Sequence, residues 1–490
     1  MTEQNEPALM STQFHRQVAI SSTERAGYGP LGEPVPAPEL PSGQAATNAA
    51  AALRNLLHTW GLDPARYGTP QWNPLGDLIP PGARVVIKPN LVHHQNRSGR
   101  GLGCLVTSAE VIDAVLEYTL LAHPREIVIA DAPLQSCNFA RLTRSTGLQR
   151  LVDLAAARGW PVRLVDLRRT VSPSGRLGGR QLTGLLPMDC FVLFDLGPES
   201  LLESTADPAR FRVTCYDPRE LSAKHGPGRH QYLIAREVLD ADVVINLPKL
   251  KCHKKAGVTG ASKNMIGING NKEYLPHHRK GSPETGGDCY PGESGSKRAI
   301  EDLLDRLNSS QTGAVRFCLA SAVRFGKLGL LIAGCDTNFE GSWHGNDTIW
   351  RTCLDLNRIA LYGTPTGALG RAPQRRIIHI TDAIVAGEGD GPLAPTPVAS
   401  RFMTAGVCGP AVDWVNTIMM GFDPERIPLV KHAFDAFPYP VADFLPDDIV
   451  VLTGAARLSA QTFACEPRRS FQPPPGWQGH CEARELLHAR

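Results

Sequence analysis

The chain has 490 residues, of which 42% are hydrophobic and 20% charged. That length can bury a large core in more than one folding unit, and the balance is that of a soluble globular protein. A net charge of +3, from 51 basic and 48 acidic side chains, gives no basic face for nucleic acid or for a membrane surface, so neither is expected as a partner. No apolar run reaches membrane-spanning length, and the start MTEQNEPALMSTQFHRQVAISS has acidic residues and no apolar signal core. A cytoplasmic protein is therefore expected. The twelve cysteines form no CxxC pair, which argues against zinc knuckles and iron–sulfur motifs and predicts reduced, buried thiols.

Residues 1–42 are rich in Pro and Gly (YGPLGEPVPAPELPSG) and predict an irregular arm. An alanine-rich helix follows over 45–60. RVVIKPN (84–90) reads as a strand and TSAEVIDAVLEYTLLA (107–122) as a helix capped by Thr107, with Glu110 three residues on. REIVIADAP (125–133) predicts a strand, 139–159 a helix, and VRLVDL (162–167) and FVLFDLG (191–197) two strands. YLIAREVLDA (232–241) reads as helix and DVVINLP (242–248) as strand. Helices are expected over 296–309, 347–363 and 411–422, and strands over 375–386 and 448–454. The alternation predicts an α/β fold, a mostly parallel sheet with helices on both faces. Two α/β lobes with a site in the crevice between them are expected. The domains would be the arm 1–42, a first lobe 43–241, a second lobe 242–455 with a Lys/His-rich site loop at 249–297, and a C-terminal extension 456–490.

Open parallel α/β sheets bind ligands just past the carboxyl ends of their strands. Four predicted strand ends carry polar residues: Lys88-Pro89-Asn90, Asp131, the run KLKCHKKAGVTGASKNMIG (249–267), and ITDAIVAGEGDGP (380–392) with Asp382, Glu388 and Asp390. One such end alone is a turn; four together predict a shared crevice. Lysine use sharpens this. Only 12 lysines stand against 39 arginines, and eight of the twelve fall between Lys249 and Lys297. Arginine supplies general positive charge here, so lysine is concentrated where a compact, tunable amine is useful; a solvated basic loop has the same composition. GEGDG is not GxGxxG and there is no P-loop, so no NAD fingerprint is present. GVTGASKN can form a backbone nest for phosphate or carboxylate. The candidate catalytic groups are His253 and Lys263. Lys88, Asn90, Asp131, Lys249, Lys251, Asn264, Glu388 and Asp390 are the candidate contacts to a small anionic ligand, and His277 and His278 are candidate metal ligands.

These stretches resemble the family called domain of unknown function 362. The likeness rests on VVIKPNLV (85–92), TSAEVIDAV (107–115), EIVIADAP (126–133), DVVINLPKLKCHKKAGVTGASKNMIGINGNK (242–272), ITDAIVAGEGDGP (380–392) and AVDWVNTIMMGFDPERIP (411–428). Some relatives carry a ferredoxin-like cysteine cluster, which this chain lacks. A shorter pattern, His253, a glycine segment, Lys263 and then His277 or His278, is similar to lactate racemase. That likeness implies Lys263 as the tether of a nickel-pincer nucleotide, His277 or His278 as a nickel ligand and His253 as an acid/base, in a racemase- or isomerase-like reaction. The cofactor expected is thus a divalent metal or a lysine-tethered nickel nucleotide. The alternative is a non-catalytic protein that binds a metal, cluster, nucleotide or partner.

Overall fold

The computed structural model describes residues 12–24, 28, 49–172, 183–214, 216–336, 338–466, 468 and 470–483. Its frame is a 12-stranded sheet. In chain order the strands are β1 (Gln17–Ser22), β2 (Arg84–Pro89), β3 (Glu126–Asp131), β4 (Val162–Asp166), β5 (Val243–Leu247), β6 (Lys249–His253), β7 (Gly257–Thr259), β8 (Arg376–Asp390), β9 (Ala394–Val398), β10 (Phe402–Gly406), β11 (Val450–Thr453) and β12 (Ala456–Ser459). They lie in the order β12-β11-β1-β10-β8-β5-β2-β3-β4, with β6 and β9 on the far part of β8 and β7 beside β6. The run from β8 through β5, β2 and β3 to β4 is parallel; β10 and β9 join β8 antiparallel.

Side-chain alternation explains why helices cover both faces. Val85, Ile87, Ile127, Ile129 and Ile245 pack with the helices Ala49–Thr59 and Ala109–Leu121. Val86, Val128, Ala130 and Val244 point the other way, into a core shared with the helix Ile349–Tyr362. A third core joins Val18 and Ile20 of β1 to the helix Gly409–Met419. The α/β class with a mostly parallel sheet is therefore the observed one. The sheet runs unbroken across residue 241, because β5 pairs with β2 from Val243↔Val85 to Leu247↔Pro89.

Several elements differ from the sequence expectation. Residues 17–22, expected to lie in the irregular arm, form β1, buried between β10 and β11; most of 25–48 lies outside the described residues. The helix expected over 232–241 is a strand, Arg229–Ala235, followed by one turn, Arg236–Leu239. Antiparallel pairing with Phe191–Asp195 and burial of Tyr232, Leu233 and Ile234 take Tyr232–Ala235 into a strand, and the helical propensity of AREVLDA survives only in the turn Arg236–Leu239. The helix over 139–159 breaks in two at Gly147, whose φ of 82° is left-handed. The lysine-rich loop begins as the β6–β7 hairpin. A helix with no counterpart in the sequence reading, Gly313–Ile332, lies against Gly295–Ser309 and leaves Phe317, Phe325 and Ile332 exposed. The C-terminal stretch is not all surface, since Trp477 is buried and its Nε1 donates to the Lys254 carbonyl at 2.8 Å. No helix among the described residues is long and apolar enough to cross a membrane. The eleven described cysteines are free thiols, seven of them buried.

Candidate functional site

Asn90 follows β2, Asp131 ends β3, and β5 runs straight on through Pro248 into β6, which carries Lys251 and His253. These ends meet because Thr107 ties them. Its Oγ1 donates to the Leu247 carbonyl at 2.7 Å and accepts from the Asn90 amide at 2.8 Å. Thr107 is therefore a strap between strands. The cap of the next helix is Ser108, whose Oγ accepts from the Glu110 amide at 3.2 Å.

Past these ends opens a cavity of about 400 Å³. Eight of the candidate residues line it: Asn90, Asp131, Lys251, His253, Lys263, Asn264, His277 and Asp390. Four do not. Lys88 lies under the floor, fully buried, with Nζ 2.8 Å from Asp131 Oδ1. Lys249 is paired with Asp382 at 2.6 Å and donates to Tyr28. Glu388 accepts from the Gln472 amide at 2.9 Å. His278 sits in a two-residue bridge to Arg212. Lys88, Lys249 and Glu388 are therefore taken up by structure, and His278 is buried off the cavity. Lys255, Lys272, Arg97 and Glu340 also line the cavity. Lys255 and Lys272 lie in the lysine-dense stretch, which was a usable signal; Arg97 and Glu340 carried none.

The floor is a chain of amides. Lys251 Nζ donates to Asn90 Oδ1 at 2.7 Å and to the Leu105 carbonyl. Asn90 Nδ2 donates to Asn264 Oδ1 at 2.9 Å, and Asn264 Nδ2 to Asn246 Oδ1 at 2.7 Å. Asn246 Nδ2 reaches His379 Nδ1 at 3.0 Å. The turn Ala261–Asn264 that presents Lys263 is pinned by Asp413, which accepts from the Ala261 and Ser262 amides at 2.6 and 2.8 Å. Burial pushes the Asp413 carboxyl up to about 6. Gly260 is required here, since a Cβ would lie 2.0 Å from Asp413 Oδ1. Gly260→Ala is expected to cost about 1–3 kcal/mol, read as a lower urea midpoint at unchanged m-value.

The cavity is cationic. Burial, then the neighbouring Lys249, pushes Lys251 down to about 7. Burial pushes Lys272 down to about 8 and lowers Lys263 as well. Asp131 brings little negative charge because Lys88 compensates it from below. Lys255 donates to Thr214 Oγ1 at 2.8 Å and Lys272 to the Ala132 carbonyl at 3.1 Å. Among the described residues, Lys263 has no hydrogen-bond or ion-pair partner, unlike Lys251, Lys255 and Lys272.

The two imidazoles are set in opposite tautomers. His253 Nδ1 accepts from the amides of Lys255 and Ala256 at 3.1 and 3.2 Å, so its proton is on Nε2. His277 Nδ1 lies 2.6 Å from the Leu275 carbonyl, which only accepts, so Nδ1 carries the proton and Nε2 keeps its lone pair. Burial holds both rings well below the usual histidine range, so both are neutral near pH 7. His253 thus offers the cavity a donor and His277 an acceptor. Among the described residues no group of three or more His, Cys, Asp or Glu side chains could hold a metal ion. His277 and His278, the candidate pair, do not face one site.

The fold and site define an α/β protein with a cationic, imidazole-lined cavity at the strand ends. The family model described as "Domain of unknown function (DUF362)" matches residues 202–417, so over that stretch the chain is similar to this domain. A crystal structure of a Thermotoga maritima protein from a structural genomics consortium is similar at 10% identity and a TM-score of 0.31. The match covers 69% of this chain and 55% of that one, so the chain spans about half that protein's length. No curated protein matches.

Proposed function

We propose that the protein is an enzyme acting on a small anionic substrate, with an acid/base step of the isomerase or racemase type between His277 and His253. The carrying observation is the pair of opposite tautomers on one cationic cavity. Lys251, Lys255 and Lys272 supply the positive field for a carboxylate or phosphate. His277 Nε2 is the group that takes a proton, and His253 Nε2–H steadies the oxygen on which charge develops. A cavity of about 400 Å³ suits a small metabolite.

The donor set also suits a lysine-tethered nickel nucleotide. Lys263 offers an unpartnered amine for the tether and His277 a ring nitrogen with a free lone pair as ligand. When bound, such a group supplies a hydride acceptor. Intact mass and metal content of the purified protein check this directly.

The test of the main reading is proton exchange in D2O, followed by NMR at the carbon beside the carboxylate of lactate, malate and their 2-oxo counterparts. His277→Gln is expected to slow exchange about 100-fold or more while phosphate and malate affinity by calorimetry changes little. Binding without exchange of any probe supports the non-catalytic alternative. Absence of both removes the anionic-site reading.

A further inference from the structure

Lys263 is unusual among the buried cavity lysines. An ammonium group has three N–H donors and needs acceptors when it is buried. Lys251 finds Asn90 and the Leu105 carbonyl, Lys255 finds Thr214, and Lys272 finds the Ala132 carbonyl. Among the described residues Lys263 is given none, and Lys88 is among the charges acting on it. Its side chain is only 8% exposed, yet it lines the cavity. Such surroundings favour the neutral amine, whose lone pair is a nucleophile. The burial-driven lowering of its pKa agrees with this. His253 and His277 share the cavity, and each of them senses the Lys263 charge.

We infer that Lys263 forms an imine with the carbonyl carbon of a 2-oxo acid whose carboxylate is held by the surrounding lysines. The inference rests on the anionic-site reading above and takes the Lys263 amine as free, not tethered. The Nζ lone pair attacks the carbonyl carbon, forming a C–N bond, and the C=O π pair moves to oxygen. His253 Nε2–H donates a hydrogen bond to that oxyanion. His277 Nε2 takes one proton from nitrogen and delivers it to oxygen, giving the carbinolamine. Nitrogen then expels hydroxide as the C=N bond forms, and its second proton, again through His277, completes the departing water. Both amine hydrogens leave in that water and nothing is oxidised or reduced. The chemistry asks for one nucleophile, one acceptor and one donor, and the cavity presents one of each.

The full chain is incubated with pyruvate or 2-oxoglutarate, reduced with borohydride, and read by intact mass and peptide mapping. One stoichiometric adduct at Lys263 is expected, competed by phosphate and absent in Lys263→Arg, which keeps the charge. His277→Gln is expected to slow trapping at least tenfold and to change its pH profile. Phosphate and malate calorimetry on the same samples separates the two readings. If these anions bind but neither 2-oxo acid is trapped at Lys263, or the adducts scatter over exposed lysines, the imine is overturned and the anionic site stands. If nothing binds, both fall. A purified protein already carrying mass on Lys263 also overturns the imine.

Discussion

Replacing Lys88 by methionine is expected to destabilise the protein by about 3–5 kcal/mol, the usual cost of removing one partner of a buried ion pair. Lys88 is fully buried and Asp131 nearly so, and their charged atoms are 2.8 Å apart. Without Lys88, the Asp131 carboxylate keeps, among the described residues, only the Leu91 amide at 2.8 Å. Gly267 closes one side of it: a Cβ on Gly267 would be 2.0 Å from Asp131 Oδ1. The double variant Lys88→Met with Asp131→Asn should recover much of the loss, since no charge is then stranded. Urea unfolding at neutral pH checks both, with m-values unchanged. The single variant carries a second consequence. An uncompensated carboxylate on the wall would attract Lys263 and Lys272, so anion affinity should fall even in molecules that remain folded. A cost under about 1 kcal/mol would mean that the pair is hydrated and behaves as a surface salt bridge.

This pair marks the limit of what the sequence could reveal. Lys88 and Asp131 were legible as polar residues at strand ends, because VVIK and IVIAD are apolar runs that must be buried. That Lys88 would serve Asp131 and not a ligand depends on the neighbouring of β2 and β3, a non-local fact. Lys249 was misplaced for the same reason, since its partner Asp382 is far along the chain on β8. The gathering of Lys251, His253, Lys263 and His277 was legible, because they are close in sequence and follow a buried strand. The roles of the two histidines were not. They depend on which backbone group meets each Nδ1, and only the turn after β6 and the path before His277 decide that. Elements failed where packing outweighs local preference. AREVLDA has helix-forming residues, yet Tyr232 to Ala235 are taken into a strand by Phe191–Asp195. β1 has only six residues in a polar terminus, too short a signal to separate from an arm.

Between pH 7 and pH 5 the protein is expected to lose about 4 kcal/mol or more of its stability, through its buried histidines. Burial pushes His225 and His379 down to about 3 and holds His253, His277 and His278 well below the usual range. The sign follows from proton binding. From the ordinary histidine value near 6.5 down to the native values, the unfolded chain takes up protons that the native state refuses. Stability is therefore complete above that value and falls as pH falls. At pH 5 His225 and His379 each account for about 2 kcal/mol, and His253, His277 and His278 act in the same direction. Asp413 works against this. With its carboxyl at about 6, the native state gains a proton below pH 6 that the unfolded carboxylate does not, returning about 1.4 kcal/mol by pH 5. The histidines outweigh it. Urea midpoints measured in steps from pH 7.5 to 5 give the slope. His379→Gln should flatten it by about 1.4 kcal/mol per pH unit, whatever it costs at neutral pH, because His379 meets Asn246 and no charged group shifts it. A level profile from pH 6.5 to 5 would mean that the native state accepts these protons, and the neutral donor–acceptor pair of His253 and His277 would then be lost with it.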